Sequence, residues 1–291
     1  MTEYASFYPA PHAPAIPAPP LSCDCQVHIY HPDETRYPLR ADAPYARPAG
    51  TMDEAMRMHK ALGIERGVVV SSALYGPDNR LMADQIAGKP NYRGIAVIDD
   101  SVSDEELRRL DSVGVRGARF NFGEAMGLGQ GAEQFRRQVR RMTELGWHVR
   151  LNSWKEDFLP NEALLRELTL PVVLDHMAHP DYRGSLTDPW FALILDLLEN
   201  SDNWWIMLSN TDRAFAKERE WSKCVPFARA YIEAAPDRVV WATDWPHVLY
   251  PAAVDDGDLL DLVSLYAPEP AVRKAILVDN PARLMGFENA T

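Results

Sequence analysis

A chain of 291 residues with 46% apolar side chains can bury one large core, and a single barrel domain of roughly 250 residues fits it without division. Its formal net charge of −12, with no cluster of Lys and Arg and no basic run interleaved with aromatics, argues against nucleic acid and anionic membrane as partners. Three cysteines, Cys23 and Cys25 (read on opposite faces of one strand) and the solitary Cys224, make no disulfide framework, which leads to the expectation of a reducing cytoplasm. No apolar run approaches the ~18 residues of a spanning helix, and the first residues lack the basic start and apolar stretch of a secretory signal.

In chain order, Pro9, Pro11, Pro14, Pro17, Pro19 and Pro20 come first, separated mostly by alanine. They favour extended polyproline backbone and deny a helix its hydrogen bonds. Residues 1–21 therefore read as an extended arm, either a free tail or a strap over the barrel or a neighbouring subunit, and residues 22–291 as one domain. From Ser22 to Tyr30 polar and apolar residues alternate at the period of a strand, placing Gln26 and His28 on one face. Seven more strands are expected at Gly67 to Ser72, Tyr92 to Ile98, Gly114 to Phe122, Trp147 to Asn152, Pro171 to His176, Trp204 to Ser209 and Arg238 to Asp244. Amphipathic stretches lie between them at Thr51 to Leu62, Ser103 to Leu110, Ala132 to Leu145, Thr187 to Glu199 and Ala214 to Ala235, several opened by a Ser, Thr or Asp cap. Eight strands separated by helices, with no glycine-rich phosphate loop after the first, predict a (β/α)8 TIM barrel rather than an open doubly wound sheet.

Sites in that fold gather at the carboxyl ends of the strands. The residues expected there are unusually polar: Gln26 and His28, Ser71 and Ser72, Arg119 and Asn121, Arg150 and Asn152, Asp175 and His176, Ser209 and Asn210, Asp244 and His247. Arg119 stands out, because burying its charge costs several kcal/mol unless it is paired. An anionic ligand is one suitable partner, and Asp175 or Glu124 in the core is another. Asp244, carried by a strand into a turn, can serve as a general base.

The pattern around Asp24, Gln26 and His28, the runs Gly117-Ala-Arg-Phe-Asn-Phe122, Leu174-Asp-His-Met177 and Ala242-Thr-Asp-Trp-Pro-His247, and the closing Asp279-Asn-Pro-Ala-Arg-Leu-Met-Gly-Phe287 together resemble the amidohydrolase superfamily. Within it they are most similar to the 2-pyrone-4,6-dicarboxylate lactonase branch, which also contains sugar-lactone hydrolases and a galactarolactone isomerase. The likeness runs from Ser22 to about Phe287. It implies a barrel that opens a lactone with water, in this branch usually without a tightly bound catalytic metal, in aromatic or sugar acid catabolism. It also implies Asp244 as base, His28 and His176 as the first- and sixth-strand histidines, Arg119 and Arg213 as grips on a substrate carboxylate, Tyr45 as a substrate contact and His247 as the histidine after the catalytic Asp. The chain departs from the branch at Gln26 (for the first His of the pair), Ala125 (for an arginine), Asn152 (for a tyrosine) and Ala73 (for a serine). A substrate with fewer or differently placed carboxylates is therefore expected, with Arg150, on the same strand face as Asn152, as a replacement charge.

Lactone opening needs a base for water, donors for the carbonyl oxygen and cations for an anionic substituent. Asp244 suits the first role; His28 and His176, with the amide of Gln26, suit the second; Arg119 and Arg213, with planar forks matched to carboxylate, suit the third. His28, His176 and Asp244 are zinc ligands by residue type. However, Gln26 is a poor substitute for imidazole, and Arg119 both repels a cation and occupies the place of a lysine that could bridge two metals. The reading is thus of a metal-free site, with a single divalent ion such as zinc as the alternative. The other reactions weighed are lactone isomerisation at the same Asp/His site and decarboxylation with a metal; a homodimer is compatible with the proline arm and the tryptophans.

Overall fold

Every expected strand forms, most of them trimmed by a residue or more at their ends. The computed structural model describes residues 7–121, 131–214, 220–249 and 254–288. The strands are β1 (Cys23–Val27), β2 (Arg66–Val70), β3 (Tyr92–Ala96), β4 (Val115–Asn121), β5 (His148–Asn152), β6 (Val172–Leu174), β7 (Trp204–Leu208) and β8 (Val239–Trp241). Each pairs in parallel with the next, in sequence order. β8 returns to β1 through a parallel bridge between Val27 and Trp245, with the His28 N–H donating to the Trp245 carbonyl at 2.8 Å and the Asp244 N–H to the Gln26 carbonyl at 3.1 Å. The sheet is therefore a near-closed TIM barrel.

Local signals set the helix starts. Thr51 caps the helix Met52–Leu62 in a reciprocal box with Glu54, and Gly63 ends it at φ 74°. Ser103 caps Asp104–Ser112 by accepting from the Glu106 N–H. The helix expected from 214 to 235 is shorter, Val225–Ala234, preceded by a tight turn at Trp221–Cys224; residues 215–219 lie outside the described ones. The helices Arg80–Ile86 and Asp256–Tyr266 were not expected. Among the described residues no helix is long and apolar enough to cross a membrane.

Strand alternation sorts the core into two layers. Cys23, Cys25, Val68, Val70, Ile95, Val173, Met207 and Val240 pack together inside the barrel, while Val27, Val69, Ala96, Val149 and Ile206 face the helices. Each fully buried aliphatic side chain contributes about 1.5–3 kcal/mol. Cys23 and Cys25, two residues apart, lie on the same side of β1 rather than on opposite faces, their sulfurs 3.9 Å apart.

One irregularity in β1 shapes everything above it. Asp24 pairs with Gly67 but Val27 with Val69, so three steps on β1 match two on β2, and the strand carries a bulge. Strict alternation would put Asp24, Gln26 and His28 on one face. The extra residue leaves Asp24 facing the helix layer, where it meets His59 at 3.3 Å, and turns Gln26 inward.

From Phe7 onward the proline-rich segment follows the helix Asp256–Tyr266. Phe7 bridges Val254 and packs on Trp245 with ring centroids 4.7 Å apart. The Ala15 N–H donates to Asp261 at 2.6 Å. The fit against the helix is close: a Cβ on Gly257 would lie 2.5 Å from the His12 carbonyl oxygen.

Candidate active site

Just beyond β8, Asp244 adopts φ 61°, its N–H bonded to Gln26 and its carbonyl receiving the His247 N–H at 3.1 Å. That conformation costs a non-glycine residue of order 1–2 kcal/mol. Gln26 Nε2 donates to Asp244 Oδ1 at 2.7 Å, His28 Nε2 lies 3.5 Å from the same oxygen, and Arg213 Nη2 lies 3.4 Å from Oδ2. Burial alone would raise the Asp244 carboxyl, but its contact with His28 and the positive charge of Arg213 outweigh it and hold the group well below the usual carboxylate range. The Asp244 carboxyl is therefore ionised at neutral pH.

His28 donates from Nδ1 to the Val70 carbonyl at 2.9 Å, which leaves Nε2 towards Asp244. His176 comes from an unusual turn after β6: His176, Met177, Ala178 and His179 all have left-handed backbone, φ 55°, 56°, 60° and 48°. This turn brings the rings of His176 and His179 to 5.0 Å. Arg119 Nη2 sits 3.1 Å from His176 Nε2, and the Gln26 amide nitrogen 3.4 Å. A guanidinium only donates, so His176 Nε2 accepts and the proton sits on Nδ1, facing Ser209 Oγ at 2.9 Å. Burial pushes His176 well below its ordinary pKa, so the ring is neutral. In this arrangement His176 orients Arg119, instead of donating to a substrate carbonyl as the sequence suggested.

The fully buried Asp175 accepts from Arg119 Nε at 2.8 Å and Arg150 Nε at 2.7 Å. Burial would raise its carboxyl, but Arg150 and Arg119 outweigh that and lower it. Of the partners considered for Arg119, Asp175 holds one edge of the guanidinium, Glu124 lies outside the described residues, and the side chain, 14% exposed, also reaches the cavity where an anionic ligand would sit. Arg150 has no exposure at all. Its Nη2 donates to Gln26 Oε1 at 2.6 Å and its Nη1 to the Cys25 carbonyl at 3.2 Å. It lies beneath the site rather than in it, so the expected replacement charge for a substrate carboxylate is not available.

A cavity of about 280 Å3 opens above these groups. Among the expected residues it is lined by His28, His176, Asp244, Arg119, Arg213 and Asn152. Gln26 and Arg150 sit under it, and Asn121 stands behind, accepting from Asn152 Nδ2 at 2.7 Å. Tyr45 lies at the end of β2 with its hydroxyl 3.1 Å from Ser72 Oγ. His247 is turned away and fully buried, with Nε2 3.0 Å from Asp256 and Nδ1 3.7 Å from Asp212. Burial would lower His247, but Asp256 and Asp212 outweigh it and raise the ring; it ties together the starts of two helices instead of lining the cavity. Ala125 lies outside the described residues.

Trp154, His179, Val248 and Leu249 also line the cavity and were not assigned to the site from the sequence, whereas Asn210 was expected at the end of its strand. Trp154 is two residues beyond Asn152 and could have been found by extending the strand's alternation. Its ring stacks on His179, centroids 4.6 Å apart and 7° from parallel. His179 donates from Nε2 to Asn152 Oδ1 at 2.9 Å, and burial pushes its pKa down to about 4. Nothing in the sequence announces His179, because no glycine or asparagine marks the turn that delivers it. Asn210 accepts from Arg213 Nε at 2.9 Å and so aims that guanidinium.

These donors do not suit a divalent metal. The lone pair of His176 Nε2 faces a guanidinium and an amide, and both oxygens of Asp244 face N–H groups. An incoming cation would have to displace all of these donors, two of them positively charged. Among the described residues no group of three or more His, Cys, Asp or Glu is arranged to hold an ion.

A parallel eight-stranded barrel whose carboxyl ends converge an aspartate, three histidines and two arginines on one small cavity defines the class, a (β/α)8 protein with its candidate site at the strand ends. The chain belongs to the amidohydrolase family, whose model matches residues 23–287. It is 34% identical to the 4-sulfomuconolactone hydrolase of Hydrogenophaga intermedia, over 92% of this chain and 89% of that protein. It is 32% identical to the 2-pyrone-4,6-dicarboxylate hydrolase of Comamonas testosteroni, over 97% and 95%. A crystal structure from Agrobacterium tumefaciens superposes with a TM-score of 0.83, covering 96% of this chain and all of the other; at 24% identity it attests the fold.

Proposed function

We propose that this protein is a lactonase that opens the ring of a small anionic lactone with water, without a metal, Asp244 taking the proton of the attacking water. The observation that carries the reading is the meeting, on one small cavity, of an ionised carboxylate with two guanidinium groups that still face the open space. Water lies between Asp244 and the lactone carbonyl. As its oxygen bonds to the carbonyl carbon, the Arg119 N–H groups stabilise the negative charge growing on the carbonyl oxygen, and Arg213 holds the substrate's anionic substituent. The names of the two relatives, one acting on a sulfonated muconolactone and the other on a pyrone dicarboxylate, support a lactone bearing a strong anion.

The test is a panel of pyrone carboxylates, muconolactones and aldonolactones, followed by mass and NMR analysis of the product on enzyme whose metal content is known. A ring-opened acid heavier by one water, formed at the same rate after chelation, is the expected result. A product of unchanged mass makes the protein an isomerase, release of carbon dioxide makes it a decarboxylase, and loss of activity with the metal overturns the metal-free mechanism.

A further inference from the structure

Gln26 is an unusual neighbour for a catalytic base. A carboxamide can dock with either its oxygen or its nitrogen forward, and the two choices act in opposite ways on Asp244. Arg150 removes the choice: its Nη2 donates to Gln26 Oε1 at 2.6 Å, and a guanidinium has no acceptor. The amide nitrogen is thereby turned towards Asp244 Oδ1 at 2.7 Å and His176 Nε2 at 3.4 Å. Arg150 is itself fixed by Asp175 and by the Cys25 carbonyl, and the bulge in β1 is what brings Gln26 inside to meet it.

The two oxygens of Asp244 are consequently unlike. Oδ1 has a short bond from Gln26 and His28 Nε2 at 3.5 Å, whereas Oδ2 has a contact to Arg213 at 3.4 Å. We infer that Arg150 and Gln26 form a positioning pair that pins Oδ1 and leaves Oδ2, on the Arg213 side of the cavity, as the oxygen that takes the proton from water. In that step an O–H bond of water breaks and its proton joins Oδ2, while the water oxygen bonds to the lactone carbonyl carbon and the carbonyl π pair moves onto its oxygen; when that pair returns, the ring C–O bond breaks and the leaving ring oxygen takes the proton back from Asp244. Arg150 touches neither substrate nor Asp244 and acts only through Gln26. This inference rests on the reading of Asp244 as base.

The experiment is a double-mutant cycle on the full chain, Q26M, R150M and the two together, with the best-hydrolysed member of the lactone panel as probe. Gln26→Met keeps length and removes the donor, so kcat falls about 100-fold while KM changes less than about threefold. R150M produces a similar fall, and the double variant is no slower than the worse single variant, because the second change acts on a link already cut. Should R150M not fold, R150K serves. It keeps a charge for Asp175, but its single ammonium cannot span both Asp175 and Gln26, so kcat falls with the thermal midpoint nearly unchanged. An R150K or R150M enzyme with wild-type kcat overturns the pair, and so do losses that multiply in the double variant. D244N assayed alongside separates the two levels: near-normal turnover there removes the base itself, while an inactive D244N with an unaffected R150 variant removes only the pair.

Discussion

Two buried aspartates flank the seam between β1 and β8, and they are used in opposite ways. Asp24, on the helix side, has four donors aimed at it by the chain: the N–H groups of Gln26 and Thr243 on Oδ1, and the Thr243 hydroxyl and His59 Nε2 on Oδ2. Those fill the roughly four acceptor sites a carboxylate has. Asp244, on the cavity side and one residue beyond Thr243, has one short donor and otherwise contacts of 3.4–3.5 Å. A saturated carboxylate can only hold structure together, whereas an unsaturated one beside a cavity retains capacity for a proton. The difference is made by which side of the sheet each residue faces, which the bulge in β1 helps decide.

Exchanging each acid for a non-ionic residue tests the comparison directly. Asp244→Asn should lower kcat by about 1,000-fold or more, at least about 4 kcal/mol of barrier, with the circular dichroism spectrum and thermal midpoint close to wild type. A D244N enzyme of near-normal rate would show that its spare capacity is not used. Asp24→Ala should do the reverse. It strands four buried donors, so denaturant unfolding should show a loss of about 3–5 kcal/mol, while kcat per folded molecule falls far less than in D244N. Equal stability of D24A and wild type would contradict the view of Asp24 as the seal of the seam.

The seam also shows what could and could not be read from residues alone. All eight strands were legible, because short β-branched runs between capped amphipathic stretches leave few other folds. Asp244, His28, His176, Arg119, Arg213 and Asn152 were legible as cavity residues, since each ends or follows a strand. Arg150 and Gln26 were placed at the right rim but at the wrong depth: alternation tells which face a side chain leaves from, not how far below the mouth its partners hold it. The bulge was hidden because Cys23 to His28 alternates without a break in polarity. His179 was hidden because a left-handed turn usually calls for glycine or asparagine, and the sequence there is His-Met-Ala-His. His247, which follows Asp244 closely in the chain, gave no sign that it faces Asp212 and Asp256 instead of substrate.

A third prediction extends the contrast to pH. His179 has a folded pKa near 4, lowered by burial, against about 6.5 in an unfolded chain. Between those values the unfolded state binds more protons, so stability is full above about pH 6.5 and is lost as the pH falls towards 4, by up to about 3 kcal/mol. Urea midpoints measured from pH 7 to 4.5 should therefore fall, and His179→Gln, which cannot be protonated, should flatten part of that decline. An identical slope in the variant would mean that other groups carry the acid sensitivity.

The smallest expected effects come from the two arginines, and they repeat the distinction between saturated and available charge. Arg213 is aimed by the neutral Asn210, makes only a long 3.4 Å contact to Asp244 and is 31% exposed, so its remaining N–H groups can meet a substrate anion. Arg119 is tied to Asp175, which is buried and would lose one of its two cations. Arg213→Met should raise KM for an anionic lactone about 10- to 30-fold, or about 1.4–2 kcal/mol, leave KM for the corresponding neutral ester nearly unchanged, and cost little stability. Arg119→Met should lower kcat through the loss of its N–H groups from the carbonyl oxygen, and should also lower the thermal midpoint, because Asp175 is left with Arg150 alone. If both variants raised KM alike for the anion and the ester and left the midpoint unchanged, neither guanidinium would be reading the substrate's charge, and the distinction drawn at the two aspartates would not extend to the cations.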